Sequence, residues 1–246
     1  MTKTKKAIRG NFDFVVQSIV PSLIQGEDAK ALYNKVSKTI KSGVWYDKKS
    51  KTIKGSSTFL AARVDSIVRD LNKGIRVATL ADLNKPEIMS MIKDNHYSDT
   101  PAIVFRSTED SFNPNKALIA DLIPQVEQKM GKLQLPVLIT GFDVVPSEDK
   151  TGYRLDIIPR KDFAVLQDNR LSGKYDGKRF STVDKDGLPN FDIKGNRTWY
   201  ARNEGLSRLY WGGDLGLDSG FGGGSLADSS EDGRVVVVRE APAQKK

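Results

Sequence analysis

Few side chains in this sequence of 246 residues could carry out catalysis. His96 is the only histidine and there is no cysteine, so a Ser-His-Asp triad or a histidine-rich metal site would have to be built on that one residue. The absence of cysteine also excludes disulfides, thiolate zinc sites and cysteine nucleophiles. Acid pairs such as Asp214 and Asp218 lie in a glycine-rich segment, where nothing gives two carboxyls the different surroundings that acid/base catalysis needs. We therefore expect no enzyme activity, no catalytic residue, no metal and no cofactor.

Two short motifs resemble ligand-binding loops but lack the residues that such loops need. The run DKDG at 184–187 resembles the start of a calcium loop, yet it has no third oxygen ligand and no glutamate at the last position of the loop. A tight turn is expected there instead. The glycine cluster from Gly212 to Gly224 contains no lysine that could reach a phosphate, and its acidic residues would repel one, so a P-loop is excluded.

The first part of the chain is predicted to be rich in helices. Over 27–43, Ala29, Leu32, Val36 and Ile40 recur at helical spacing. A second apolar stripe predicts a helix over 56–74, with Ser57 or Thr58 as its N-cap. Further helices are expected over 85–93, with Pro86 near the start, and over 113–132. In the latter, Asn113 would act as the N-cap and Pro124 would cause a kink or a break.

Strands are predicted mainly in the second part. Residues 100–107 indicate a short buried strand, while 135–145 and 151–166 are strand-like and separated by a turn-rich segment, which predicts a hairpin or meander. From 168 onward, short segments alternate with turn residues. We therefore predict an α+β protein with a boundary near 130–135. It would consist of a basic, helix-rich α/β domain over 1–132, a loop-rich β domain over 133–240 and a disordered tail over 241–246.

The net charge of +8 is unevenly distributed along the chain. Residues 1–90 contain 17 Lys/Arg and 8 Asp/Glu, whereas residues 199–238 contain three Arg and six acids. A basic front part indicates either a solvated lysine-rich face or a surface for nucleic acid or another acidic partner. For nucleic acid, aromatic stacking and phosphate contacts would come from Lys35, Lys38, Lys41, Trp45, Lys48, Lys49, Lys51 and Lys54.

The glycine-rich segment contains a regular apolar frame. In an extended strand, Leu215 and Leu217 would lie on one face, and Asp214, Gly216 and Asp218 on the other. The first face would be buried, and the second would carry either polar side chains or glycines without a side chain.

The frame continues after a glycine loop at 220–225. Leu226 would return to the core, the run DSSEDG at 228–233 would form a turn, and Val235–Val238 would enter the core as a buried strand. The outward and loop positions are drawn mainly from Gly, Asp, Ser and Phe, all of which arise from the asparagine codons AAT and AAC when their adenines are replaced. We therefore predict that the outward and loop positions can change without disturbing the apolar frame.

This pattern, which runs from Asn196 to Val238, resembles the variable proteins of diversity-generating retroelements. In those systems a reverse transcriptase copies a template repeat with errors at adenines and rewrites the 3′ end of a target gene. The chain departs from many members of the family, because its frame ends in Gly233-Arg234 and four valines instead of Gly-Phe-Arg.

The resemblance implies a C-type lectin-type fold that displays hypervariable residues to a partner protein on a cell surface or a phage target. Trp211 cannot arise from an asparagine codon by adenine changes alone, but with Phe221 it is a candidate aromatic anchor, and Tyr210 flanks it. The predicted ligand-binding surface consists of Trp211, Gly212, Gly213, Asp214, Gly216, Asp218, Gly220, Phe221, Gly222, Gly223, Gly224, Ser225, Asp228 and Ser230.

The predicted function is therefore non-catalytic binding of a protein ligand, and the alternative is nucleic-acid binding by the basic front part. No apolar run is long enough to span a bilayer, and no secretory signal is expected at the N-terminus. We expect synthesis in the cytoplasm. Association with a virion or a cell surface and assembly into a homo-oligomer are compatible with this prediction.

Overall fold

A computed structural model of the protein describes residues 22–23, 26–70, 74–90, 92, 96–146, 153–156, 162–212, 216–219 and 226–239. Within these ranges the chain is a mixture of helices and small, mainly antiparallel sheets, which agrees with the predicted α+β class. The α-helices are α1 Gly26–Val36, α2 Thr58–Asp70, α3 Leu80–Leu83, α4 Pro86–Met89 and α5 Asn113–Met130.

The strands are short. They are β1 Ser22–Leu23, β2 Trp45–Asp47, β3 Thr52–Lys54, β4 Ile75–Val77, β5 Tyr97–Asp99, β6 Ala102–Phe105, β7 Val137–Thr140, β8 Asp143–Pro146, β9 Tyr153–Asp156, β10 Ala164–Gln167, β11 Lys178–Val183, β12 Pro189–Phe191, β13 Arg197–Ala201, β14 Leu206–Ser207, β15 Tyr210–Gly212, β16 Gly216–Ser219 and β17 Val236–Arg239. A 3-10 turn covers Asn169–Leu171.

The longer helices form where the apolar spacing predicts them. Ala29, Leu32 and Val36 are buried on α1, which ends at Val36 and is thus shorter than the predicted 27–43; the buried Ile40 follows the helix. The Ser57 hydroxyl accepts the Leu60 N–H at 3.1 Å, which makes Ser57 the side-chain cap of α2. The third prediction is only partly right, because a four-residue helix, α4, forms within 85–93.

Helix α5 differs from its prediction at two points. Asn113 is the first helical residue and makes no capping bond; the Asp110 carboxylate just upstream accepts the Phe112 N–H at 2.8 Å. The helix also continues through Pro124 to Met130, since a proline removes a single backbone donor that the neighbouring bonds of a long helix can compensate.

Strand pairing joins the two halves of the chain. The three-stranded sheet has the order β1-β17-β4, the four-stranded sheet β10-β7-β6-β14, and the six-stranded sheet β12-β11-β13-β16-β15-β5; β2-β3 and β8-β9 are separate two-stranded pairs. Each of the three larger sheets therefore contains strands from both sides of residue 132. Strand pairing therefore crosses the boundary predicted between domains 1–132 and 133–240, because β4, β5 and β6 each pair with a strand that follows residue 132. The predicted tail at 241–246 lies outside the described residues.

Two apolar clusters form the core, and the valine strand lies between them. Val235 and Val237 pack in the first cluster with α1, α2 and α5, whereas Val236 and Val238 pack in the second behind the six-stranded sheet. Both faces of this strand are thus buried, which explains an unbroken run of valines where a half-exposed strand would alternate.

A buried ion pair fixes β4 to the short helix that follows it. The Arg76 guanidinium donates to the Asp82 carboxylate, which also accepts the Thr79 hydroxyl at 2.9 Å and the Lys85 ammonium at 3.1 Å. Burial opposes the charge of Asp82, but these hydrogen bonds and the Arg76 charge outweigh it, so the pKa of the Asp82 carboxyl lies below its ordinary value.

We predict that Asp82→Asn lowers the free energy of unfolding at neutral pH by about 3 kcal/mol, because it leaves the Arg76 charge buried without its partner. Since the folded-state pKa of Asp82 is lowered, its contribution is complete above about pH 4 and is lost as the pH falls below that value. Urea unfolding measured from pH 7 down to pH 3 would show a smaller acid-induced loss in the variant. The exposed Glu87→Gln is the control, and equal stability of Asp82→Asn and wild type at pH 7 would contradict the prediction.

Candidate ligand-binding surface

The six-stranded sheet has a buried face and an opposite face, which we call the outer face. Along β13 the buried residues Arg197, Trp199 and Ala201 alternate with the half-buried Thr198 and Tyr200. In β15, Trp211 is buried between the half-buried Tyr210 and Gly212. The half-buried residues of both strands lie on the outer face, because successive residues of a strand point to opposite faces.

Strand β16, from the glycine-rich segment, occupies the interior of this sheet. It pairs in parallel with β13 and antiparallel with β15. Position 218 is the Cα partner of both Tyr200 and Tyr210, and position 217 is the partner of Trp199 and Trp211. Partners lie on the same face, so position 218 lies on the outer face and position 217 on the buried face. The backbone register at 216–219 is thus the one that the predicted alternation requires, while the side chains of this strand lie outside what the structure describes.

The structure brings part of the predicted ligand-binding surface together. Positions 212, 216 and 218 share the outer face, and the exposed Asp228 and Ser230 lie in the turn that follows Leu226. Leu226 itself is buried, as predicted. The remaining predicted positions lie outside the described residues: Gly213, Asp214, Gly220, Phe221, Gly222, Gly223, Gly224 and Ser225.

Trp211 is a core residue and not the surface anchor predicted from the sequence. Its side chain is 1% exposed, and the Arg197 guanidinium lies 4.6 Å from its ring. Arg197 is itself buried between this ring and that of Phe180, and burial lowers the pKa of Arg197 to about 10. Trp211, which asparagine codons cannot give, thus belongs to the buried core.

An ion pair that the sequence did not reveal underlies one end of the outer face. Arg208 donates to both carboxylate oxygens of Asp99, from Nε at 2.8 Å and from Nη2 at 2.7 Å. The rings of Tyr97 and Tyr210 lie 5.3 and 4.7 Å from its guanidinium carbon, and the Asp228 carboxylate lies 3.9 Å from Nη1. Burial opposes the charge of Arg208, but the charge and hydrogen bonds of Asp99 outweigh it, so the pKa of Arg208 lies above its ordinary value. Burial raises the pKa of the Asp99 carboxyl, and the nearby charge of Asp228 adds to that rise.

The turn at 226–234 is tied to the front part of the chain. The Ser229 hydroxyl donates to the Gly43 carbonyl at 2.6 Å and accepts the Ser56 N–H at 2.9 Å. The Gly55 N–H donates to the Gly233 carbonyl at 2.9 Å, and a Cβ at Gly233 would overlap the Ser56 backbone. The backbone path of this turn is therefore specified by Ser229 and the glycines.

The flanking Asp228 and Ser230 are exposed, and the Ser230 hydroxyl lies 3.4 Å from the Tyr97 hydroxyl. The Ser230 N–H donates to the Tyr97 hydroxyl at 2.8 Å, a bond that any residue except proline could make.

The predicted nucleic-acid contacts lie on two neighbouring elements, α1 and the β2-β3 hairpin. Exposed lysines follow the end of α1 and the hairpin turn: Lys35, Lys38, Lys41, Lys48, Lys49 and Lys51. Lys54 instead pairs with Asp47 at 3.0 Å and with Glu231 at 3.7 Å. Trp45 is half-buried opposite Lys54 in the hairpin. The structure thus groups the lysines but leaves only part of the tryptophan ring accessible.

The two motifs set aside in the sequence have structural roles. Asp184 organises a tight turn, as predicted, accepting the Asp186 N–H at 3.0 Å and the Leu188 N–H at 3.1 Å, and it pairs with Arg170 at 2.5 Å. His96 is half-buried just before β5. Across the ranges that the structure describes, no group of three or more His, Asp or Glu side chains is placed to hold a metal ion.

Comparison with known proteins found no match to any protein-family model, any curated protein or any solved structure. Among the helices of the described ranges, none combines the length and the apolar composition required to cross a membrane.

We predict opposite outcomes for two adjacent serines. Ser229→Ala should lower the free energy of unfolding by about 1–3 kcal/mol, because it leaves the Ser56 N–H and the Gly43 carbonyl without their partner. Ser230→Ala should change it by less than about 0.5 kcal/mol, because its side chain is exposed and its backbone bond remains. Denaturant unfolding of both variants measures the difference. Equal effects would contradict the separation of constant and exchangeable positions in this turn.

Proposed function

We propose that the protein is a non-catalytic ligand-binding protein whose outer face carries exchangeable residues, as the target of a diversity-generating retroelement. The observation that carries this proposal is the division of the sheet between its two faces. Positions 212, 216 and 218, which asparagine codons could give, share the outer face, whereas Trp199 and Trp211 occupy the buried face. We further propose that this sheet and its flanking turns correspond to the ligand-displaying part of a C-type lectin-type fold.

The division lets the surface vary without loss of the fold. Strand β16 is held by backbone hydrogen bonds to β13 and β15, and these bonds do not depend on the side chains at 216 and 218. The buried face gains about 25 cal/mol per Å² of apolar area removed from water, independently of the residues that face outward. Residues on the outer face can therefore be changed to alter affinity, which in protein interfaces depends on a few anchoring side chains.

Stability measurements test the division directly. Asp218→Asn and Asp218→Tyr should each change the free energy of unfolding by less than about 1 kcal/mol, the span of strand propensities. Trp211→Ala, on the buried face of the adjacent strand, should lower it by about 3–5 kcal/mol. Thermal unfolding of the three variants gives the comparison. A loss of several kcal/mol at position 218 would argue against an exchangeable outer face.

The genetic part of the proposal has a separate test. The DNA downstream of the gene should contain a near-repeat of the 3′ end that differs from it at adenines, next to a reverse transcriptase gene. The differences should fall in the codons for the outward and turn positions and spare those for Trp211, Ser229 and Gly233. The absence of such a repeat would exclude an origin in a retroelement, but it would not exclude ligand binding by the sheet.

A second candidate function is nucleic-acid binding, which the grouping of six exposed lysines on α1 and the β2-β3 hairpin favours. The expected observation is binding of a labelled oligonucleotide whose affinity falls steeply with salt, with a slope of roughly −0.7 to −0.9 for each phosphate contacted. Replacing Lys48 and Lys49 by glutamate should reduce both affinity and slope, whereas Lys185→Glu, on an exposed turn far along the chain, serves as control. No binding at about 50 mM salt would exclude this function.

A further inference from the structure

Exposed apolar side chains lie together at one edge of the six-stranded sheet. Phe191 belongs to the edge strand β12 and is 43% exposed, and Ile193 follows this strand and is 91% exposed. In the described ranges the other exposed large apolar side chain is Tyr175, which contacts Tyr200 and Arg202. Single exposed apolar residues are common on protein surfaces, whereas neighbouring ones more often mark a contact site.

The turn that carries Ile193 is fixed by hydrogen bonds and does not itself require an isoleucine. The Gly195 N–H donates to the Asp192 carbonyl at 2.9 Å, which closes a four-residue turn. The Asp192 carboxylate accepts the Lys194 N–H at 2.9 Å and the Ser181 hydroxyl at 3.0 Å. Aspartate in the first place and glycine in the last suit such a turn, but its second place does not call for an apolar residue. A preformed turn thus holds Ile193 in solvent, which lowers the entropy cost of a contact.

Backbone pairing along β12 is obstructed, so a partner would bind here through side chains. Pro189 has no N–H to donate, and its carbonyl accepts Arg170 Nη1 at 3.0 Å. The register of β12 with β11 also shifts between Phe180 and Thr182. Prolines and bulges keep edge strands from pairing with further chains. A contact at this edge is therefore limited in extent and does not grow by addition of strands.

This edge contact would not cover the outer face. Phe191 is the Cα partner of Phe180, and Phe180 is the partner of the buried Arg197. Because partners share a face, Phe191 lies on the side of the sheet opposite the outer face.

Charged residues of both signs surround the two apolar side chains. Asp176 and Lys178 line a shallow crevice together with Phe191, and Asp192 and Lys194 flank Ile193 in the turn. All four are exposed, and none of them forms an ion pair with another side chain of the described ranges. We call the two apolar and four charged residues the edge patch: Asp176, Lys178, Phe191, Asp192, Ile193 and Lys194.

The mixture of charges favours a second copy of the chain as the partner. In a two-fold contact the same surface meets itself. A surface of one sign would repel its copy, whereas a surface with acids and bases side by side can pair each acid with a base of the other copy. Lys174 and Arg179 add positive charge in the same stretch of chain, and Arg179 donates to the Gly195 carbonyl at 3.1 Å.

We propose that the edge patch is a two-fold contact between two copies of this chain. Phe191 and Ile193 of both copies pack together in the dimer, and the acids of each patch face the bases of the other. The proposal does not depend on the proposed function, because the edge patch contains none of the predicted ligand-binding positions. The dimer displays two outer faces, so a partner that engages both at once is bound more tightly than by one face alone.

The mass of the full chain in solution tests the proposal. Sedimentation velocity should show a monomer of 27.2 kDa that converts to a dimer as the concentration rises from about 1 µM to about 100 µM. Ile193→Asp should weaken the dimer by about tenfold or more, because it places a charge within the apolar contact. Since Ile193 is almost fully exposed, this change should leave folding intact. The control is Asn34→Asp, which adds the same charge at an exposed position of α1 and should leave the dimer unchanged.

Charge reversal tests whether acids and bases meet across the contact. One variant combines Lys178→Glu with Lys194→Glu and keeps only acids in the patch. The other combines Asp176→Lys with Asp192→Asn and keeps only bases, while the asparagine retains an acceptor for the turn. Each variant alone should stay monomeric at a concentration at which the wild type dimerises, and an equimolar mixture should form a dimer with one copy of each.

Three results would overturn the proposal. The first is a wild type that remains at 27.2 kDa up to about 100 µM, which would leave the patch to a different partner. The second is a dimer that Ile193→Asp does not weaken, or a mixture of the two charge variants that stays monomeric. The third is assembly beyond a dimer, which a closed two-fold contact does not allow.

Discussion

The close packing of the turn at 226–234 against the front of the chain is the constraint on which the rest of the structure depends. Backbone segments at Gly43, Gly55 and Gly233 approach so closely that a Cβ on any of the three would meet a neighbouring chain segment. Gly43 and Gly55 also have φ values of +72° and +106°, which side chains of L-residues rarely adopt. The Ser229 hydroxyl joins two of these segments. This contact leads the chain directly into β17, which lies between the two cores and pairs with β4.

The same packing completes one edge of the six-stranded sheet. The Arg234 N–H donates to the Tyr97 carbonyl at 2.9 Å, and the Tyr97 hydroxyl donates to the Ser56 carbonyl at 3.1 Å. Tyr97 is thus held from both sides at the edge strand β5. The Ser56 hydroxyl also accepts the Asp99 N–H at 2.7 Å, next to the Arg208 pair. Tyr97, Asp99 and Arg208 are therefore connected to the front of the chain through backbone and buried polar contacts.

The sequence predicts local features well and long-range ones poorly. The spacing of Ala29, Leu32 and Val36 is sufficient for α1, and the valine run is sufficient for a buried strand, since each depends on a pattern within one segment. Pairing between the two halves could not be predicted from composition, because β4 and β17 lie far apart in the chain. Helix α3 begins with a local capping box of Thr79 and Asp82, but the buried ion pair of Asp82 with Arg76 is not evident from local spacing.

For the candidate site, the alternation around Leu217 predicts an extended strand, and β16 forms there. The burial of Trp211 was not predictable, because it follows from which strands lie beside β15 and in which register. A single sequence contains these residues but not their adjacency.

If the gene is rewritten at asparagine codons as we propose, the interior position of β16 restricts the set of proteins that it can produce. A strand with a partner on each side uses its backbone N–H groups on both edges, and proline has none to donate. Replacing both adenines of an asparagine codon with cytosine gives proline. Copies that receive proline within 216–219 would therefore be removed by misfolding before they meet any ligand, whereas exposed turn positions such as 228 would tolerate it more readily. The sheet would thus act as a filter on its own diversity, and the folded repertoire would be narrower in the strand than in the turns beside it.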